Sequence, residues 1–158
     1  MIIRLVRKGD NDQLERVIRD VLRSYGANGP GFAFADPELL DMFEAYQAED
    51  SCYYVLEENG KIFGGAGISP LAEEGINACE LQKMYFHPKA RGRGFGKKLI
   101  QLCLEKAKEL AYSHVYLETL EEMHEARSLY ESVGFKYIDH RMGATGHSSC
   151  PVFMLKYL

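Results

Sequence analysis

Long apolar runs are missing from this chain. No stretch approaches the roughly 20 apolar residues that a membrane-spanning helix needs. The apolar start, Met1-Ile2-Ile3-Arg4-Leu5-Val6-Arg7, is broken by arginines and is far shorter than a secretory core. The expectation is therefore a cytoplasmic protein with no membrane partner. A basic excess is also missing. The formal net charge is −4, opposite in sign to the footprint of a general nucleic-acid binder. The four cysteines, Cys52, Cys79, Cys103 and Cys150, form no CxxC pair and have no histidine at zinc-ligand spacing. No metal is expected. The first three read as small core or strand residues. Cys150 precedes Pro151 in a Ser-rich stretch and reads as exposed. Internal repeats and low-complexity runs are absent too.

What is present is an ordinary globular composition, 46% hydrophobic and 27% charged over 158 residues, which suits a single domain with one core over residues 1–158. Ile2 to Val6 suits a first strand. Asp10 and Gln13 resemble a capping box ahead of Leu14, Val17, Ile18, Val21 and Leu22, an apolar pattern at helical spacing that ends near Gly26. After a glycine-rich loop carrying Phe32 and Phe34, Asp36-Pro37 reads as an N-cap with proline at the first helical position, predicting a second helix to about Ala48. Cys52 to Leu56 and Lys61 to Ile68 flank Asn59-Gly60, a hairpin signal. Ile76 to Phe86 predicts a fourth strand and Lys97 to Ala111 a third helix, with Leu99, Cys103, Ala107 and Leu110 on one face. His114 to Thr119 predicts a strand. Thr119 and Glu122 again resemble a capping box, before a helix with Ala126, Leu129, Tyr130 and Val133 that Gly134 ends. Phe135 to His140 and Val152 to Tyr157 complete the order βααβββαβαββ. The fold class is α/β (α+β): a mixed, mostly antiparallel sheet of about seven strands flanked by four helices.

The entry to the third helix, Arg91-Gly92-Arg93-Gly94-Phe95-Gly96-Lys97-Lys98, lacks the capping side chain that the other three helices are expected to have. A helix start leaves up to four backbone N–H groups without intrahelical partners. Glycines let a ligand approach the backbone, and the helix dipole and the basic side chains favour an anion. A phosphate group completes the turn. It is not a Walker A loop, because no Gly-Lys-Ser/Thr follows, nor a dinucleotide fingerprint, because Lys97 stands where the third glycine belongs. An RNA-binding match at Arg93-Gly94-Phe95-Gly96 fails where Lys97 and Ile100 replace aromatic rings, leaving no platform for base stacking.

Arg-x-x-Gly-x-Gly, as Arg91, Gly94 and Gly96 between a strand and a helix, resembles the acetyl-CoA pyrophosphate loop of the GNAT superfamily of N-acetyltransferases. The run Glu80 to Pro88 resembles that family's fourth strand, and Leu129-Tyr130-Glu131-Ser132-Val133-Gly134-Phe135 its LYE-x-x-GF signature. The resemblance implies acetyl-CoA as co-substrate. Its pantetheine would lie along Met84, Tyr85 and Phe86. Its phosphates would sit on Gly92, Gly94, Phe95, Gly96 and Lys97, with Arg91 and Arg93 nearby. An asparagine is usual in the family where Met123 stands here, which removes one contact. Tyr130 corresponds to the tyrosine that protonates the leaving thiolate. Glu118 and Glu80 both occupy places where relatives position a base, and the choice between them stays open. Direct attack in a ternary complex needs no covalent intermediate. The acceptor is a small amine or amino acid, or a peptide amine, entering near residues 26–36 and 140–150, where Arg141, Thr145 and His147 offer polar contacts and Arg141 suits a carboxylate. An inactive CoA-sensing module is the alternative from another class. By analogy, copies would pair as a homodimer through an exposed last strand.

Overall fold

The computed structural model describes residues 1–73 and 75–158. Its elements are β1 (Ile2–Leu5), α1 (Asn11–Ser24), α2 (Met42–Ala45), β2 (Cys52–Glu58), β3 (Lys61–Leu71), β4 (Ala78–Phe86), α3 (Phe95–Glu109), β5 (His114–Thr119), α4 (His124–Ser132), β6 (Lys136–Ile138) and β7 (Val152–Tyr157). The strands form one sheet in the order β1-β2-β3-β4-β5-β7-β6. All neighbours are antiparallel except β4 and β5. The mixed, mostly antiparallel seven-stranded sheet read from the sequence is the sheet observed.

Alternation along the strands divides the core between the two faces. Tyr53 and Val55 of β2 turn toward α1 and α2, where they meet Leu14, Ile18, Leu39 and Met42. Leu56 of β2, Ile68 of β3 and Val115 and Leu117 of β5 turn toward α3 and α4, against Leu99, Ile100, Cys103 and Tyr130. Cys52, Cys79 and Cys103 are buried, as their surroundings in the sequence suggest. Cys150 is half-buried rather than exposed.

Three local expectations give way to longer-range partners. The second helix is short: Pro37–Leu40 forms a 3-10 turn and only Met42–Ala45 is α-helical, capped by Asp41, which accepts from the Glu44 N–H. Asp10 does not cap α1. It takes two hydrogen bonds from Arg4, at 2.7 and 2.9 Å, and one from the Arg7 N–H. Gln13 reaches instead to the β2–β3 turn, accepting from the Ile62 N–H and donating to the Gly60 carbonyl. Thr119 does not cap α4, which begins at His124 with Met123 at the N-cap making no side-chain capping bond; the Thr119 hydroxyl donates to the Met123 sulfur instead. The last strand is not an exposed edge. β7 lies between β5 and β6, and the edge is the three-residue β6.

Candidate active site

Parallel pairing of β4 with β5 covers three residues only, Ala78↔His114, Cys79↔Val115 and Glu80↔Tyr116. Beyond Glu80, β4 carries one extra residue relative to β3, between the pairs Gly67↔Gln82 and Gly65↔Tyr85. Lys83 sits at this bulge with φ 49°. A bulge bends and twists its strand, and here it takes β4 away from β5. The partner strand is shaped for it. A Cβ on Gly65 or Gly67 would come within 2.5 Å of the Tyr53 ring. The glycines leave space for that ring, whose hydroxyl donates to the Lys83 carbonyl at 2.7 Å.

The parted strands open a groove of about 620 Å³. Met84, Tyr85 and Phe86 line it from β4, Met123, Ala126 and Leu129 from the α4 side, and the α3 entry closes one end. At that end Gly94 is the N-cap, with φ 80° and no capping side chain. The first intrahelical bond runs from the Lys98 N–H to the Gly94 carbonyl at 3.3 Å. The N–H groups of Phe95, Gly96 and Lys97 precede it and have no acceptor inside the helix. A Cβ on Gly96 would meet Leu129 at 2.9 Å and narrow the groove. Arg91 donates through Nε to the Phe86 carbonyl at 3.0 Å, fixing the turn to the end of β4. Of the ten positions read as cofactor-binding, nine line this groove and Arg93 does not. Arg93 lies over the Phe95 ring, 5.4 Å from its centre, and beside the Met1 sulfur.

A small cavity of about 30 Å³ continues the groove, sharing Met84, Tyr85 and Met123 with it. Glu118 and Tyr130 both face this cavity; Glu80 is not in its lining. The Glu118 side chain is 1% exposed. Its Oε1 accepts three hydrogen bonds, from the Tyr116 hydroxyl at 2.8 Å, the Thr145 hydroxyl at 2.9 Å and Arg141 Nε at 3.2 Å. Its Oε2 is buried with no partner among the described residues. Tyr130 is buried against Phe135, ring centres 6.0 Å apart, and burial holds its phenol above the usual range.

Beside the cavity lies a buried polar chain that the sequence reading missed in part. The Lys83 side chain is 1% exposed, with Nζ 2.9 Å from Asp36 and 3.8 Å from Glu38. Asp36 also meets His147 Nε2 at 3.0 Å, and the far side of that ring is 3.9 Å from Glu80. Glu80 accepts from Gln82 at 2.6 Å, and Gln82 from the Tyr46 hydroxyl at 2.8 Å. Burial pushes the Glu80 carboxyl above its usual range, against the hydrogen bond from Gln82. Asp36, read as a helix cap, is thus the counter-charge of a buried lysine. The signal for this was a lysine in a strand among Leu81, Met84, Tyr85 and Phe86. Arg141, Thr145 and His147, read as contacts for an acceptor, are engaged internally. Arg141 Nη2 donates to the His147 and Cys150 carbonyls at 2.9 Å each. The two loops meet where Ser149 donates to the Gly31 and Pro30 carbonyls.

Burial alone would lower the His147 pKa. The hydrogen bond and charge of Asp36 and the charge of Glu80 outweigh it and leave the imidazole above 6.5. The folded protein therefore holds the His147 proton more tightly than the unfolded chain does. The ion pair's contribution is complete below about pH 6.5 and fades as pH rises through the folded value. The melting-temperature advantage of the wild type over His147→Asn should be largest near about pH 6 and shrink by about pH 8.5. A difference that does not change with pH would mean that the folded protein holds the His147 proton no more tightly than the unfolded chain does, and one that grows with pH would mean that it holds the imidazole neutral.

The acetyltransferase (GNAT) family model matches residues 15–135. YjgM of Escherichia coli K12, an uncharacterized N-acetyltransferase, is 42% identical over 158 residues, covering 99% of this chain and 95% of that protein. Among solved structures, a GNAT-family acetyltransferase from Staphylococcus aureus Mu50 matches with a TM-score of 0.84 at 19% identity, over 99% of this chain and 98% of that one. The paiA N-acetyltransferase of Thermoplasma acidophilum, solved with coenzyme A, matches with a TM-score of 0.77 at 18% identity over the whole of both chains. Among the described residues, no helix is long and apolar enough to cross a membrane.

Proposed function

The chain belongs to the acetyltransferase (GNAT) family and is an acyltransferase, and from that premise we propose that it moves an acetyl group from acetyl-CoA to a primary amine by direct attack in a ternary complex. The observation that carries this reading is the parting of β4 from β5 after three paired residues. It opens a groove from the α3 entry, where Lys97 and three N–H groups without an intrahelical acceptor lie, to Met84, Tyr85 and Met123, which the groove shares with the small cavity lined by Glu118 and Tyr130. The groove has an apolar wall from Met84, Phe86, Ala126 and Leu129 and an anion-binding end at the α3 entry, features that suit a pantetheine arm and its phosphates. The paiA structure, with coenzyme A bound on the same fold, supports the assignment.

The reaction needs an unprotonated amine, because a lysine-like amine has a pKa of about 10.4 and is no nucleophile when charged. Glu118 Oε2 takes the proton as the nitrogen attacks the thioester carbonyl. Tyr130 supplies the proton that leaves with the CoA sulfur as the C–S bond breaks. N–H groups of the open β4 edge polarise the carbonyl.

The acceptor is best read as an amine without an acidic group beside its nitrogen. Each cation near the cavity already has an anionic partner: Lys83 has Asp36 and Glu38, Arg141 has Glu118, and His147 has Asp36. A carboxylate next to the amine would face Glu118 with no free counter-charge. Two measurements test this together: calorimetric titration with acetyl-CoA, and thiol release with paired acceptors such as phenethylamine and phenylalanine. Saturable binding is expected, with kcat/KM at least about tenfold higher for the amine, the equivalent of one charge left unpartnered. No binding would end the cofactor assignment. Binding without thiol release from any amine would favour a CoA-sensing module. A preference for the amino acid would mean that Arg141 leaves Glu118 when the acceptor enters.

A further inference from the structure

The connection between β6 and β7 is long for a hairpin, and long connections in compact domains commonly carry function. Here it delivers two side chains, Arg141 and Thr145, to a single oxygen atom. That oxygen, Glu118 Oε1, takes a third bond from Tyr116, two residues away on β5. The other oxygen of the same carboxylate is buried and bare. A carboxylate normally distributes donors over about four lone-pair sites. Three donors on one oxygen and none on the other is a lopsided arrangement, and burying the bare oxygen without a donor is costly. The small cavity shows the same division: Glu118 lines it, and none of the three donors to Oε1 does.

Resting on the reading that Glu118 faces the reacting amine, we propose that Tyr116, Thr145 and Arg141 are positioning residues, a clamp that holds Glu118 by one oxygen and presents the other to the amino group of the acceptor. The N–H···Oε2 bond supplies the donor that the bare oxygen lacks. When the nitrogen attacks, its proton passes to Oε2 while the three bonds to Oε1 stay in place, so the carboxyl does not rotate during the transfer. The clamp also couples the acceptor side to the chemistry. Arg141 holds the His147 and Cys150 carbonyls with the same guanidinium that holds Glu118. Displacement of the 140–150 loop by an unsuitable acceptor would therefore release the carboxylate that the reaction uses.

Thr145 gives the cleanest test, because valine keeps its shape and removes only the hydroxyl. Thr145→Val and Thr145→Ser are made alone and in a Glu118→Gln background, and kcat, KM for acetyl-CoA and calorimetric binding of acetyl-CoA are measured, with Tyr116→Phe as a second variant. Thr145→Val should lower kcat by about tenfold, the effect of one lost hydrogen bond to a charged group, with KM for acetyl-CoA unchanged. Thr145→Ser should restore wild-type turnover. In the Glu118→Gln background Thr145→Val should cost nothing further, because residues acting as one unit are not additive. Equal losses in both backgrounds, or Thr145→Ser as poor as Thr145→Val, would overturn the clamp, as would full activity in both Thr145→Val and Tyr116→Phe. Absence of acetyl-CoA binding by the wild type would overturn the underlying functional reading instead.

Discussion

Lys97→Glu is expected to weaken acetyl-CoA binding by more than about tenfold while leaving the melting temperature at or above that of the wild type. Lys97 stands in the first turn of α3, lines the groove and follows an N-cap that offers no side chain. A cation in the first turn opposes the helix dipole, and a carboxylate there favours it by roughly 0.3–1 kcal/mol. For folding alone, glutamate is the better residue at this position. For a phosphate on the Phe95 to Lys97 N–H groups it is the worse one. It removes a charge-assisted contact worth roughly 1.5–3 kcal/mol and places a like charge in the same space. Opposite signs in the two measurements would be hard to obtain from a damaged fold. Calorimetry for affinity and a thermal melt for stability suffice, and the wild-type affinity should fall with added salt. Unchanged affinity in the variant would remove the phosphates from this turn and with them the orientation of the cofactor in the groove.

The same residue shows why part of the molecule was legible in the sequence. The α3 entry is specified locally: Gly94 supplies the positive φ, Gly96 the clearance, and the absent cap the free N–H groups, all within a few residues of Lys97. The strands are likewise local, since Tyr53 and Val55 alternate with Tyr54 and Leu56 at the period of a pleat. What misled were side chains whose partners are distant in the chain. Asp36 before Pro37 has the form of a cap, yet a lysine buried 47 positions later needs a counter-charge more than a 3-10 turn needs a cap. Thr119 and Glu122 have the spacing of a capping box, but α4 starts at His124 because the chain first leaves β5 along the cavity wall. The bulge at Lys83 was visible only indirectly, in the Gly64-Gly65-Ala66-Gly67 run of the neighbouring strand that makes room for Tyr53. Arg141 looked free for an acceptor because nothing near it in sequence claims it. Its partner is Glu118, 23 residues before it.

That partnership also separates the two glutamates that the sequence left equivalent. Glu118→Gln should lower kcat by about 10²–10⁴, the range for loss of a general base, and Glu80→Gln should show no comparable loss. The two residues lie on adjacent strands but on different sides of the point where the strands part. Glu80 belongs to the last paired position, opposite Tyr116, and its carboxyl is closed in by Gln82 and His147. Glu118 lies beyond that point, lines the cavity, and has one buried oxygen with no donor among the described residues. Glutamine at 118 can keep its carbonyl oxygen under the three donors from Tyr116, Thr145 and Arg141 and put its NH₂ where Oε2 was. The fold and the cofactor groove are preserved, and only the ability to accept a proton from the amine is lost. Turnover should therefore collapse while acetyl-CoA binding stays at the wild-type value. The reverse ranking, with Glu80→Gln inactive and Glu118→Gln active, would move the proton's destination into the buried chain through His147 and Asp36. If neither substitution affects turnover, the proton leaves through water or a backbone carbonyl, and the bare oxygen of Glu118 serves to hold the amine rather than to deprotonate it.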